Sequence, residues 1–415
     1  MSALASAVSP RGRALVRCGA LLVLLAATVL QRFGVNAGGL ATSTALPAMY
    51  LLLALAALVG ALELSLERLL LVGLGVSVAL SSLLLNESAS SVTSLLLLGA
   101  MYLPFVFVLK PGALAEDGAA WILSRFLDLA GLCALAGIAQ FMAQTVISAD
   151  WLFNFSGYIP EPLRAAGTFN TVISLGSFNK SNGFFFREPS GFSYLMALAL
   201  IGEWTTRRRG WRLATCGLAL LLTYSGSGIL ALLLASLHPF GVKTALRLLG
   251  LALAGAVVFW LLGDALGLSY TVNRVGEFKS QHSSAHMRYI APLRLVLEGI
   301  DAEPVTAWFG HGPGTIFRTV RDYEFHDPTW AKLLFEYGGV GLVTFVTLFA
   351  TMLRRTSVPL QLRAALFWGW LILGGHLLSA EHNFLSLVLV GLLPSAHERA
   401  AAASSPGIAT EAEAT

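Results

Sequence analysis

The sequence predicts an all-α polytopic membrane protein, with about 12 transmembrane segments and two large loops on the external side. Three observations carry this. Of 415 residues, 56% are hydrophobic and 12% charged, about half the charged share that a soluble domain uses to cover its surface. The mean hydropathy is +0.73. Apolar runs of about 15 to 25 residues alternate with short polar or basic breaks, as helices rising 1.5 Å per residue require to cross a hydrocarbon core of about 30 Å. That composition excludes a soluble enzyme. The net charge of +4, from 27 Lys+Arg and 23 Asp+Glu, includes no basic block of the kind that binds nucleic acid. Cys18, Cys133 and Cys216 lie in or beside apolar runs, with neither disulfide nor zinc spacing.

The positive residues order the elements. Arg11, Arg13 and Arg17 precede the first apolar run, 20–30, and Lys and Arg near span ends mark the cytoplasmic side. The runs 42–62, 69–85, 92–109 and 119–146 then alternate, so that Arg68 and Lys110 fall inside and Asn86 and Glu87 outside. From 147 to 190 the chain stays polar and aromatic, far longer than a usual helix connection. The run 191–204 returns it to Arg207, Arg208, Arg209 and Arg212, the strongest cytoplasmic marker. The stretch 213–237 is interrupted by Ser225-Gly226-Ser227-Gly228. One crossing there would put Lys243, Arg247, Arg354 and Arg355 outside. It therefore reads as a broken pair with arms of about 11 residues, about 16 Å each, whose tip is buried in protein or lines a wet cavity. A run at 248–263 leads to the second loop, and runs at 331–352, 364–379 and 383–395 follow. The organisation expected is spans one to five in 1–146, a first periplasmic loop in 147–190, spans six to nine in 191–263, a second loop in 264–330, spans ten to twelve in 331–395, and a disordered cytoplasmic tail in 396–415.

The spans contain few ionisable residues of the kind that mark an ion path, which argues against a pump. The loops hold the chemistry. Phe184-Phe185-Phe186-Arg187-Glu188-Pro189-Ser190 places Arg187 at the outer membrane boundary, where an aromatic-belt anchor is an equally good reading. The second loop carries Arg274, Lys279, His282, His286, Arg288, Arg294, His311, Arg318, Arg321 and His326. Orientation signals favour the other side, so this cluster reads as an anion site. Guanidinium groups bind phosphate bidentately, and a neutral His takes a proton from a hydroxyl near pH 7. Within 284–300, Met287, Ile290, Leu293, Val296, Leu297 and Ile300 have helical spacing, predicting an amphipathic helix on the membrane surface, with Pro292 against it. His282 and His286 are four apart, but no His-Glu-x-x-His string or third ligand accompanies them, so no metal is expected.

A Gly-rich turn, Gly310-His311-Gly312-Pro313-Gly314, precedes His326-Asp327-Pro328-Thr329-Trp330 and, about ten residues on, Glu336-Tyr337-Gly338-Gly339-Val340-Gly341. With the Arg-containing loop before the sixth span and the broken Ser/Gly segment, this order resembles the O-antigen ligase and Wzy polymerase superfamily. The resemblance implies a metal-free, cofactor-free glycosyltransferase of the bacterial inner membrane. It would move a glycan from an undecaprenyl diphosphate carrier to an acceptor hydroxyl on the periplasmic face, with inversion at the anomeric carbon. It implies that Arg187 and Arg288 hold the diphosphate and that His326 orients or deprotonates the hydroxyl, with Glu336, His311 and Arg318 as supporting residues. The chain departs from the family in having Asp327 where Asn is common, and Gly226 or Gly228 where Arg is common. The partners implied are the lipid-linked glycan, membrane lipid, and either an acceptor glycan (polymerase) or lipid A-core (ligase). The Phe-Arg-Glu-Pro-Ser string favours the polymerase. A twelve-span transporter or lipid-glycan flippase is the alternative from another class, but it should show repeats and broken helices in both halves, and one break is evident.

Overall fold

The computed structural model describes residues 8–394 apart from 38–39, 116, 148–149, 166–171, 176–177, most of 240–282, 284, 303 and 355–357. Most of the expected span at 248–263, Arg274, Lys279, His282 and the tail at 396–415 lie outside the described residues. The described chain is mostly helical, with short two-stranded pairings at the loops.

The first helix, α1 (Pro10–Thr28), starts well before the apolar run at 20. Ser9 caps it by accepting from the Gly12 N–H at 3.1 Å, and Pro10 takes the first helical position, where its missing N–H costs nothing. Arg11, Arg13 and Arg17, ahead of the apolar run, are therefore already part of this helix. The order continues with α2 (Ala45–Leu58), α3 (Leu66–Leu85), α4 (Val92–Tyr102), α5 (Gly118–Ala143), α6 (Pro189–Thr206), α7 (Gly210–Leu222), α8 (Gly226–Ser236), α9 (Ala291–Ala302), α10 (Thr329–Arg354), α11 (Leu360–Trp368) and α12 (Ala380–Ser386). By length and composition, α3, α5 and α10 can each cross a membrane, and α2, α4, α7, α8 and α11 are shorter apolar helices. One apolar core joins them: α1 packs on α2 and α5, α3 on α10, and α12 on α1 and α2. Within it Phe349 stacks on Trp370 at 4.3 Å and Phe345 meets Tyr102 edge-on at 4.8 Å. The helices α7 and α8 meet at Thr223–Ser225; α7 lies against α5 and α6, and α8 against α6 and α11.

Hydrogen bonds sort the connections into two ends of this bundle. At one end the β1 (Gly34–Ala37) and β2 (Leu40–Ser43) hairpin follows α1, and the fully buried Arg32 donates to the carbonyls of Phe153 and Phe186 at 2.7 Å and of Phe184 at 3.0 Å. These bonds fasten the turn after α1 to the loop before α6. At the same end Asn86 donates to the Gly310 carbonyl at 3.2 Å and the Ser91 N–H to the Pro313 carbonyl at 2.8 Å. At the opposite end β3 (Leu62–Leu64) pairs with β4 (Phe107–Leu109), the Lys110 N–H donates to Ala61, and Arg68 donates to the Gly391 carbonyl at 2.7 Å.

Two glycine motifs interlock to build the first end. Gly338 breaks α10 with φ 67° and ψ −170°, which removes the intrahelical donors from the Phe335 and Glu336 carbonyls. The N–H groups of His311 and Gly312 replace them, at 2.8 and 2.9 Å. A Cβ at Gly338 would collide with the Trp308 backbone, and φ is in the left-handed region that L side chains avoid. Gly338→Ala is therefore expected to destabilise the protein by at least roughly 1–3 kcal/mol, measured as a lower melting temperature of the purified protein.

The segment before α9 contains a π-helical turn, His286–Ile290, in which the Ala291 N–H reaches back to the His286 carbonyl. Pro292 follows directly on that change of register, so its missing N–H does not stop the helix. Leu295 and Val296 pack on Ile316, Ala331 and Phe335. Of the six apolar positions read from the sequence, Val296 is turned inward, while Ile290, Leu293 and Leu297 are 45%, 48% and 52% exposed.

Candidate functional site

At the end of the bundle that carries the long loops, a cavity of about 270 Å³ is lined by Arg187, Arg288 and His326 together. Each arrives on a different element. Phe186 is buried against Phe192, ring centroids 5.3 Å apart, and Phe184 stacks on Phe155 at 4.8 Å. The aromatic run thus packs through both rings, Phe186 in the interior and Phe184 half-buried, and it seats Arg187 just before the N-cap Glu188 of α6. Arg288 stands in the π-helical turn and donates to the Ser227 hydroxyl at 3.0 Å, at the start of α8. The irregular Ser/Gly segment therefore contributes a helix N-terminus to the cavity wall. His326 is held by its backbone, whose N–H donates to the Met287 carbonyl at 2.8 Å, one residue from Arg288. Among the described residues its ring makes no hydrogen bond, and the residue lines the cavity.

Charge in the cavity is mixed. Arg187 is paired with Glu381, which is 3% exposed. Asp327 is paired with the buried Lys332 at 3.2 Å, and Lys332 lies 4.0 Å over the Phe317 ring. Glu188 also lines the space and accepts from Ser190 at 2.9 Å. Burial, and then the Arg288 guanidinium, hold the His326 imidazole below its ordinary range, against the opposing pull of Glu188, Asp327 and Glu324. The imidazole is therefore neutral at pH 7, with a lone pair available.

The three residues expected to support this group are elsewhere. Glu336 is buried behind the Gly-rich turn, where it accepts from the Ile316 N–H at 3.3 Å. It fastens the turn and does not reach the cavity. His311 and Arg318 line a second, more open hollow beside Asn86, Glu87 and Arg321. Arg318 donates there to the Ala89 and Ser90 carbonyls at 3.0 and 3.2 Å. Among the described residues no group of three His, Cys, Asp or Glu side chains is placed to hold a metal ion.

Sequence reasoning missed the far wall. The turn between α11 and α12 brings His376 and Ser379, and the first turn of α12 brings His382, into the same cavity, with Tyr194 of α6 beside them. The signal was present: Gly374-Gly375-His376 followed by Ser379-Ala380-Glu381-His382 is a polar cluster with a glycine pair between two apolar runs.

Compared with known proteins, the chain matches the WcaD colanic acid polymerase family over residues 20–393. No curated protein matches it.

Proposed function

Because the chain belongs to the WcaD colanic acid polymerase family, a Wzy-type polysaccharide polymerase family, we propose that it lengthens an exopolysaccharide on the periplasmic face of the inner membrane. The substrate in this reading is a glycan linked to undecaprenyl diphosphate, and the acceptor is a hydroxyl of another lipid-linked repeat. The observation that carries it is the convergence of Arg187, Arg288 and His326 on one cavity. Two guanidiniums facing one space suit a diphosphate, which each can bind bidentately. An exposed apolar row at Ile290, Leu293 and Leu297, on the segment that holds Arg288, suits the membrane surface from which such a lipid would enter. The end of the bundle with the cavity faces outward, because the opposite connections hold the Arg207–Arg209 cluster and Lys110. The about 12 crossings inferred from hydropathy belong to this reading, as do the two periplasmic loops. Family membership favours the polymerase over the ligase.

The step follows from these groups. The acceptor hydroxyl attacks the anomeric carbon as the bond from that carbon to the diphosphate oxygen breaks. The proton passes to neutral His326, and the diphosphate departs with the bonding electrons, its growing charge stabilised by Arg187 and Arg288. One in-line displacement inverts the anomeric carbon. The experiment is the size distribution of surface glycans in a deletion strain carrying the wild-type gene or none. Loss of long chains, with single repeats remaining, is the expected result of deletion; unchanged chains would overturn the reading, and full-length chains stranded on the lipid carrier would mean a ligase.

The pH dependence has a definite sign. Catalysis requires the neutral imidazole, so activity falls on the acid side, with a midpoint below the ordinary value of 6.5. Arg288→Gln removes a positive charge that disfavours the protonated ring, so the midpoint of what activity remains moves to higher pH. Glu188→Gln removes a negative charge and moves it to lower pH. Profiles of kcat/KM against pH check both directions.

A further inference from the structure

His376 and His382 stack with ring centroids 3.6 Å apart against the cavity, and the step above uses neither. The hydrogen bonds around His382 determine which of its nitrogens carries the proton. Glu381 accepts from Arg187 on Oε1 and from the Ser379 hydroxyl on Oε2 at 3.0 Å. Facing a guanidinium, Glu381 is a carboxylate and can only accept, so the single hydroxyl proton of Ser379 is committed to it. His382 Nδ1 lies 2.9 Å from that same hydroxyl oxygen and must therefore donate. In the neutral ring this leaves Nε2 as an acceptor. It makes no hydrogen bond among the described residues, and the half-buried ring lines the cavity.

A lone pair in this position selects its ligand. A diphosphate diester carries no proton at neutral pH and would be repelled, whereas a sugar hydroxyl is a donor. The stacked imidazoles, with the Tyr194 ring 5.8 Å from His382 and 6.2 Å from His376, add flat apolar surface for the carbon face of a sugar ring. We propose that His382 Nε2 accepts a hydrogen bond from a sugar hydroxyl of the bound glycan, its tautomer set by Ser379 and by Glu381, the residue that also pairs with Arg187. His382 is then a substrate-binding residue, and Ser379 and Glu381 are positioning residues. The inference rests on the polymerase reading.

Two amides separate this role from a structural one. His382→Asn keeps a donor near the Nδ1 position, facing Ser379, and places nothing at Nε2. His382→Gln places its amide oxygen near Nε2 and gives up the bond to Ser379. With purified full-length protein and the native lipid-diphosphate-linked repeat, His382→Asn should lose roughly 5- to 50-fold in kcat/KM, through a raised KM, while His382→Gln retains most activity. Asn performing as well as or better than Gln would overturn the proposal. Ser379→Ala and Ser379→Thr provide a test that leaves His382 in place: Thr, which keeps the hydroxyl, should retain activity and Ala should lose it. Equal activity in the two would overturn the tautomer argument. A wild-type protein that leaves the repeat unpolymerised fails at the polymerase reading itself, a result distinct from any ordering of the variants, and the inference falls with it.

Discussion

His326→Ala is expected to lower turnover by roughly 10²- to 10⁴-fold, the range for loss of a positioned general base, while the protein remains folded at wild-type abundance in the membrane. The two halves of this expectation have separate causes. The ring makes no hydrogen bond among the described residues, and what fixes residue 326 is its backbone N–H on the Met287 carbonyl, a bond that alanine keeps. Truncation therefore removes chemistry with little loss of structure. The ring is held neutral by burial and by Arg288, which keeps the base unprotonated at pH 7 at some cost in basicity. In the proposed step, a departing diphosphate stabilised by two arginines would reduce how strong a base is required. The measurement is the rate of polymer formation from lipid-linked repeat, together with the glycan size distribution in cells. Full polymer length at wild-type rate in His326→Ala would remove the residue from the mechanism.

That Arg187, Arg288 and His326 line one cavity was foreshadowed for Arg187 and His326 by their places beside span boundaries and for Arg288 by the family resemblance, and loops on one side of a helical bundle have few places to converge. Glu336 stands apart from that cavity. It lies ten residues from His326 in sequence, which suggests partnership, but α10 begins at Thr329, and seven helical residues carry Glu336 about 10 Å down the axis. There it closes the Gly-rich turn. The wall formed by His376, Ser379, Glu381 and His382 was hidden for a different reason. Averaged hydropathy merged His376 and Ser379 into a span at 364–379 and left Glu381 and His382 in a three-residue gap before the next at 383–395, whereas the helical segment after α11 ends at Leu373 and α12 begins at Ala380. Polar residues in a six-residue turn and the first turn of the helix after it are diluted in any window long enough to detect a span. Pro292 misled in the opposite sense, because a π turn absorbed it.

Arg187→Ala should produce the second large effect, and unlike His326→Ala it should act on stability and activity together. Glu381 is 3% exposed and its charge faces Arg187. Removing one partner of a buried pair leaves an uncompensated charge at a cost of about 3–5 kcal/mol, so abundance and melting temperature should fall. Arg288 offers the contrast: its hydrogen bond is to the neutral Ser227 hydroxyl, so Arg288→Ala should fold normally and lose roughly 10²- to 10³-fold in kcat/KM. The stability and catalytic parts of the Arg187 effect can then be separated by neutralising Glu381 as well. In Arg187→Ala with Glu381→Gln the buried charge is gone, and melting temperature should recover towards the wild type. Turnover should stay at or below the Arg187→Ala level, because no guanidinium faces the diphosphate on that side and the Glu381 carboxylate that takes the Ser379 proton is gone as well. Recovery of both properties in the double variant would show that Arg187 serves only to neutralise Glu381, and would leave Arg288 as the single cation assigned to the departing group.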